Sequence, residues 1–121
     1  MKENKIWGIT QPVWIGNNVE IHRIEIKAGG YCSKHLHEHK YNMFYVEYGE
    51  LEISIWKEHG YEQAEDIIDR TIIIDDESTI IDPKQYHMFK AIKDTVAYEI
   101  YWISLDKDDI KRMNQGGIMK E

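Results

Sequence analysis

The chain holds a single cysteine, Cys32. No internal disulfide can form, and a reducing, cytoplasmic setting is the expectation. Basic charge is also scarce: 15 Lys and Arg stand against 22 Asp and Glu, for a net charge of −7. Nucleic acid and anionic membrane surfaces both require a basic face, so neither is expected as a partner. No apolar run is long enough to cross a bilayer. The opening MKENKIWGITQ lacks the apolar stretch of a secretory signal. There is no internal repeat, no Ser-His-Asp pattern, and no glycine-rich loop running into a helix that would cradle a nucleotide. What remains is a chain of 121 residues, 42% hydrophobic and 31% charged, which fits one domain (1–121) with a modest core.

Within that chain, His35, His37 and His39 stand at alternate positions in KHLHEHK. Side chains alternate across a strand, so an extended run would aim all three the same way, whereas a helix would scatter them. Converging neutral imidazoles suit a divalent metal. The same spacing also fits a solvated, histidine-rich loop. Cys32, three residues before His35, reads as a small buried residue more readily than as a thiol ligand.

The remaining pattern is mostly β. Val19–Lys27 alternates, with Ile24 and Ile26 on one face and a slip near Arg23 that predicts a bulge or twist. The stretch 42–47 is aromatic and β-branched. Gly49-Glu50 reads as a hairpin turn into the alternation of Leu51, Ile53 and Ile55. A polar excursion over 57–69 contains His59. Strands follow over 70–74 and 78–81, separated by Asp75-Asp76-Glu77, then at His87-Met88-Phe89 and over 95–105. Residues 106–114 read as a short helix, with Asp108 and Asp109 at its start and Gly116-Gly117 after its end. Many short strands with turns between them predict an all-β sandwich or barrel.

These residues resemble the cupin superfamily. Its first motif runs Gly, five residues, His-x-His, four residues, Glu, six residues, Gly. Here Gly29, His35, His37, Asn42 and Gly49 keep every spacing, with Asn42 in place of Glu. The second motif, a proline turn followed by His and an aromatic, is matched by Pro83, His87 and Phe89 over 83–91. The usual turn glycine is absent, and Ala91 replaces a frequent Asn. The resemblance covers roughly residues 19–105. It implies a double-stranded β-helix, or jelly-roll barrel, with a short C-terminal helix or tail. It also implies one divalent transition metal (Zn, Ni, Mn or Fe) held by His35, His37 and His87. Asn42 is then a weaker, neutral fourth ligand or a substrate contact, and His39 and Phe89 are further candidates for substrate contact.

The end of the chain, Tyr98-Glu99-Ile100-Tyr101 followed by Asp108-Asp109-Ile110-Lys111-Arg112, resembles the mannose-6-phosphate isomerase-like cupins. That likeness implies a sugar or sugar-phosphate ligand, with Glu99 as a catalytic base if it faces inward. An outward Glu99 would instead pair with Lys or Arg. Cupins commonly dimerise through a sheet, and the numerous aromatics fit a homodimer. Phe44, Val46, Phe89 and Ile100 are expected on the inner wall, and Lys34 and Lys90 outside it. The functional expectations are a metal-assisted sugar isomerase or epimerase, a non-catalytic binding protein for a carbohydrate-like or carboxylate ligand, and a three-histidine iron dioxygenase.

Overall fold

The computed structural model describes residues 1–56, 67–103 and 108–120. Nine strands follow one another: β1 (Glu3–Lys5), β2 (Gly8–Ile15), β3 (Val19–Ile26), β4 (Tyr41–Tyr48), β5 (Glu50–Trp56), β6 (Ile67–Ile74), β7 (Ser78–Ile81), β8 (His87–Ala91) and β9 (Thr95–Trp102). They form two antiparallel sheets. One has six strands in the order β1-β2-β3-β9-β4-β7, the other three in the order β6-β5-β8. Buried side chains from both sheets, among them Ile24, Phe44, Val46, Leu51, Ile53, Phe89 and Ala97, make one apolar cluster. The all-β expectation holds.

Alternation decides which residues enter that cluster. Ile24 and Ile26 on β3 face inward, and so do Phe44 and Val46 on β4. β3 runs in unbroken register with β9, and the irregularity lies instead on β2, between Pro12 and Trp14, opposite His22 and Ile21. β3 itself therefore has no slip at Arg23: its alternation is continuous, and the apolar residues change from the outer face at Val19 and Ile21 to the inner face at Ile24 and Ile26. Ile100 corrects another expectation. It pairs with Ile21 and Met43, one residue out of phase with the inward Glu99, and lies on the outer face.

Gly49 is not a hairpin turn. β4 belongs to the six-stranded sheet and β5 to the three-stranded one, so the chain changes sheets at this glycine. Its φ is 116°, and a Cβ there would come within 2.5 Å of the Thr95 hydroxyl, so only glycine fits. The turn 75–77 makes a second crossing beside it. Asp75 accepts from the Gly49 N–H at 2.8 Å, and Asp76 accepts from the Tyr45 hydroxyl at 2.8 Å. These bonds tie the two crossings together.

Two strands went unforeseen, β1 and β2, which extend the large sheet at its N-terminal edge. The expected C-terminal helix is absent over its described part, 108–114, where the chain is an exposed tail. Ile110 and Met113 are both exposed there, and a helix this short gains little without a packed face. The excursion at 57–66, including His59, lies outside the described residues, as do 104–107. Among the described residues no helix is long and apolar enough to cross a membrane.

Candidate metal centre

The segment after Gly29 runs beside β8 as an irregular extra strand. Cys32 N–H donates to the Phe89 carbonyl at 3.2 Å. His35 and His87 exchange both backbone bonds, at 3.1 and 2.8 Å. This bridge sets the two imidazoles side by side, 4.5 Å between ring centroids. His37 follows on the same side, held where its carbonyl accepts from Lys84 N–H at 2.7 Å, and its ring lies 5.1 Å from His35 and 5.5 Å from His87. One ligand atom from each of the three falls within 4.8 Å of the others, close enough to share one ion. The chain bends at Glu38 and His39, and His39 is exposed, apart from this cluster. Extended alternation holds for two of the three spaced histidines and ends at the bend.

Hydrogen bonds aim the rings. His35 Nδ1–H donates to the Ser33 carbonyl at 2.7 Å, and His87 Nδ1–H donates to the Gln85 carbonyl at 3.0 Å. Both rings are thereby fixed with Nε2 bearing its lone pair, the arrangement seen in metal-ligating histidines. Burial pushes the His87 pKa down to about 4, and the neighbouring His35 and His37 push the same way. Burial also lowers the pKa of His37, helped by His35 and Lys40. Both rings are neutral at pH 7, as ligation requires.

Asn42, on β4, is 1% exposed. Its Nδ2 lies 3.4 Å from His87 Nε2 and donates weakly to that lone pair. Its Oδ1 has no partner, and neither does His37 Nε2; both atoms are buried. An unpaired buried polar atom costs about 1–3 kcal/mol. Two such atoms, one on His37 and one on the residue whose amide touches His87, fit a divalent transition metal beside the oriented imidazoles. A half-turn of the Asn42 amide would present its oxygen in place of its nitrogen. No carboxylate joins the set, so an ion here would keep its full positive charge apart from its other ligands.

A polar wall adjoins the histidines. Glu20 and His22 on β3 share the inward parity of Ile24, and Glu99 and Tyr101 stand opposite them on β9. Tyr101 donates a hydrogen bond to Glu99 Oε2, and its ring packs edge-on to His37 at 5.1 Å. His22 Nε2 lies 3.5 Å from Glu20 Oε2. With Lys40 these residues border a cavity of about 330 Å³ that reaches His37. Burial raises the Glu99 pKa against the opposing pull of the Tyr101 hydrogen bond, His22 and His35. Glu99 thus faces the interior. Phe89 is a core ring packed edge-on to Trp7 and Phe44, at 5.1 and 5.8 Å. Lys34 stacks on Trp56 at 4.3 Å. Glu20 and Lys40 carry no motif signal in the sequence, Tyr101 stood out there only as one of many aromatics and His22 only as a residue that could line the cavity; parity with Ile24 and Ile26 is what places Glu20 and His22 inside.

No family model matches the sequence, and no curated protein matches it. Solved structures do match. KdgF from Halomonas sp. superposes with a TM-score of 0.71 at 11% identity, over 87% of this chain and 89% of that one. An RmlC-like cupin from Shewanella frigidimarina gives 0.68 at 15% identity, over 90% and 86%. CapF, solved with the inhibitor 3-isopropenyl-tropolone, gives 0.66 at 18% identity, over 90% of this chain and 31% of CapF. The protein therefore has the cupin fold. Within it, His35, His37 and His87 form a cluster that could hold a metal ion.

Proposed function

We propose that this protein is a metal-dependent cupin of the cytoplasm that binds a small, sugar-like molecule and shifts a proton between its neighbouring carbons. The observation that carries the metal is the pair of orphaned buried atoms, His37 Nε2 and Asn42 Oδ1, beside two histidines whose Nδ1 atoms are engaged with backbone carbonyls. His35, His37 and His87 would hold the ion, and Asn42 would complete the set or touch substrate. Bound there, a divalent metal supplies Lewis-acid polarisation of a carbonyl.

The protein's own contribution is the polar wall. Glu99, its pKa raised by burial, takes and returns the proton at its carboxylate, because a raised pKa brings a carboxylate nearer the operating pH. Tyr101 holds that carboxylate in place. Lys40 and His22 border the same cavity and offer donors to hydroxyl or carboxylate oxygens. The test is solvent exchange. Metal-loaded protein is incubated anaerobically in D₂O with a panel of aldoses and aldose phosphates, and NMR follows deuterium entering next to the carbonyl. Exchange that vanishes in Glu99→Gln while ligand still raises Tm supports the reading. Ligand stabilisation without exchange in any sugar identifies a binding protein. Oxygen uptake with Fe(II) identifies a dioxygenase, and either outcome replaces the isomerase.

A homodimer through the outer face of the six-stranded sheet belongs to the same proposal. Trp14, Ile21, Ile100, Met43 and Ile80 form one cross-strand row on that face, and Trp14 is 58% exposed. Contiguous apolar rows of this kind mark interaction surfaces. Ile100→Glu is expected to halve the mass measured by sedimentation; an unchanged mass removes this face as the interface.

A further inference from the structure

We propose that the ligand carries an apolar tail, and that the tail lies in a second cavity adjoining the polar one. This rests on the small-molecule metal site proposed above and names the class of molecule that fits it. Between the β1–β2 turn and the segment 29–33 lies a cavity of about 540 Å³, bordered by Ile6, Trp7, Gly30, Tyr31 and Cys32. Lys5 and Trp7 border this cavity and the polar one alike, so the two adjoin there. The buried thiol of Cys32 lines the apolar cavity on its other side.

The chemistry differs sharply across that junction. One side presents His37, Glu99, Tyr101, His22 and Lys40; the other presents the Trp7 and Tyr31 rings, Ile6, Cys32 and Gly29, where a Cβ would meet open space, with Ser33 at its border. Gly30 stays glycine for a steric reason: a Cβ there would come within 2.8 Å of the Trp7 carbonyl oxygen. Trp7 itself is braced against Phe89. Ile6 is fully exposed to water and Tyr31 is 63% exposed, so a tail lying there would cover apolar surface at both. A molecule with an oxygen-donor head and a linear or aryl tail uses both sides, whereas a bare sugar uses one. Apolar burial then supplies affinity, and the polar head fixes orientation.

A series with a constant head and a growing tail tests this. Glycolate, 2-hydroxyhexanoate and 2-hydroxyoctanoate are titrated calorimetrically into metal-loaded protein. Affinity is expected to rise roughly three- to fourfold for each methylene that becomes buried. The ratio of octanoate to glycolate affinity is then read in Tyr31→Asp and Ile6→Asp, both at exposed positions, where it is expected to fall toward one. If glycolate binds but chain length has no effect, the tail cavity is overturned and the metal site stands. A ratio that survives both substitutions places the tail elsewhere and overturns the proposal as well. If no member of the series binds loaded protein while an aldose of the panel above still raises Tm, the tail is overturned and the metal site stands; if neither series binds, the small-molecule reading falls together with the tail.

Discussion

The inner face of the sheets changes character along its own strands. On β3 it reads Glu20 and His22, then Ile24 and Ile26. On β4 it reads Asn42, then Phe44 and Val46, and on β8 His87, then Phe89 and Ala91. On β9 it runs the other way, from Ala97 to Glu99 and Tyr101, as an antiparallel neighbour must. One end of the interior is therefore a packed apolar core. The other gathers imidazole, carboxylate, amide and phenol at a loss of burial energy. Every strand that supplies a group to the polar end is anchored by its own apolar residues a step or two away. Rigidity at one end thus positions chemistry at the other.

Disrupting the apolar end gives the largest expected effect on folding. Phe44→Ala removes a fully buried ring in contact with Phe89 and His87, and should lower unfolding free energy by about 3–5 kcal/mol in urea titrations. A loss under 1 kcal/mol would mean that the core does not brace the site.

The polar end should appear in the pH dependence of the chelator-treated protein. The His87 pKa is lowered from 6.5 to about 4 in the fold, so between these values the unfolded chain binds a proton that the folded chain refuses. Stability is full above about pH 6.5 and is lost as the pH falls toward 4. The loss is on the order of 3 kcal/mol. His87→Gln should flatten that slope; an equally steep slope in the variant assigns it to other groups. The smallest effect belongs to His39→Ala. It is exposed and apart from the cluster, so stability should change by under about 0.5 kcal/mol in the same titrations.

Much of this division was legible in the sequence, because it rests on local spacing. Alternation puts Ile24 and Ile26 of β3 on one face, and Phe44 and Val46 of β4 are expected inside. The likeness of the intervals from Gly29 to Gly49 and from Pro83 to Phe89 to the cupin motifs implies that His35, His37 and His87 come together. What escaped depended on distant partners. A turn glycine does not reveal whether the next strand pairs with the last or crosses to another sheet, and Gly49 does the latter. Ile100 looked internal by composition, and only its register with Met43 and Ile21 sets it outside. Alternation on β5 also fails near its end, where the register shifts between Ile55 and Trp56 and Trp56 becomes buried. The tail at 108–114 carried helix-compatible charges, but helices of that length depend on packing, which sequence periodicity does not show. His39 had the right spacing and the wrong backbone.

Elemental analysis of the purified protein tests the central claim most directly, with His87→Ala and His39→Ala measured beside it. The account predicts close to one transition-metal ion per chain, kept in His39→Ala and lost in His87→Ala. Protein without metal, and with no rise in melting temperature after incubation with Zn, Ni, Mn or Fe salts, would contradict it.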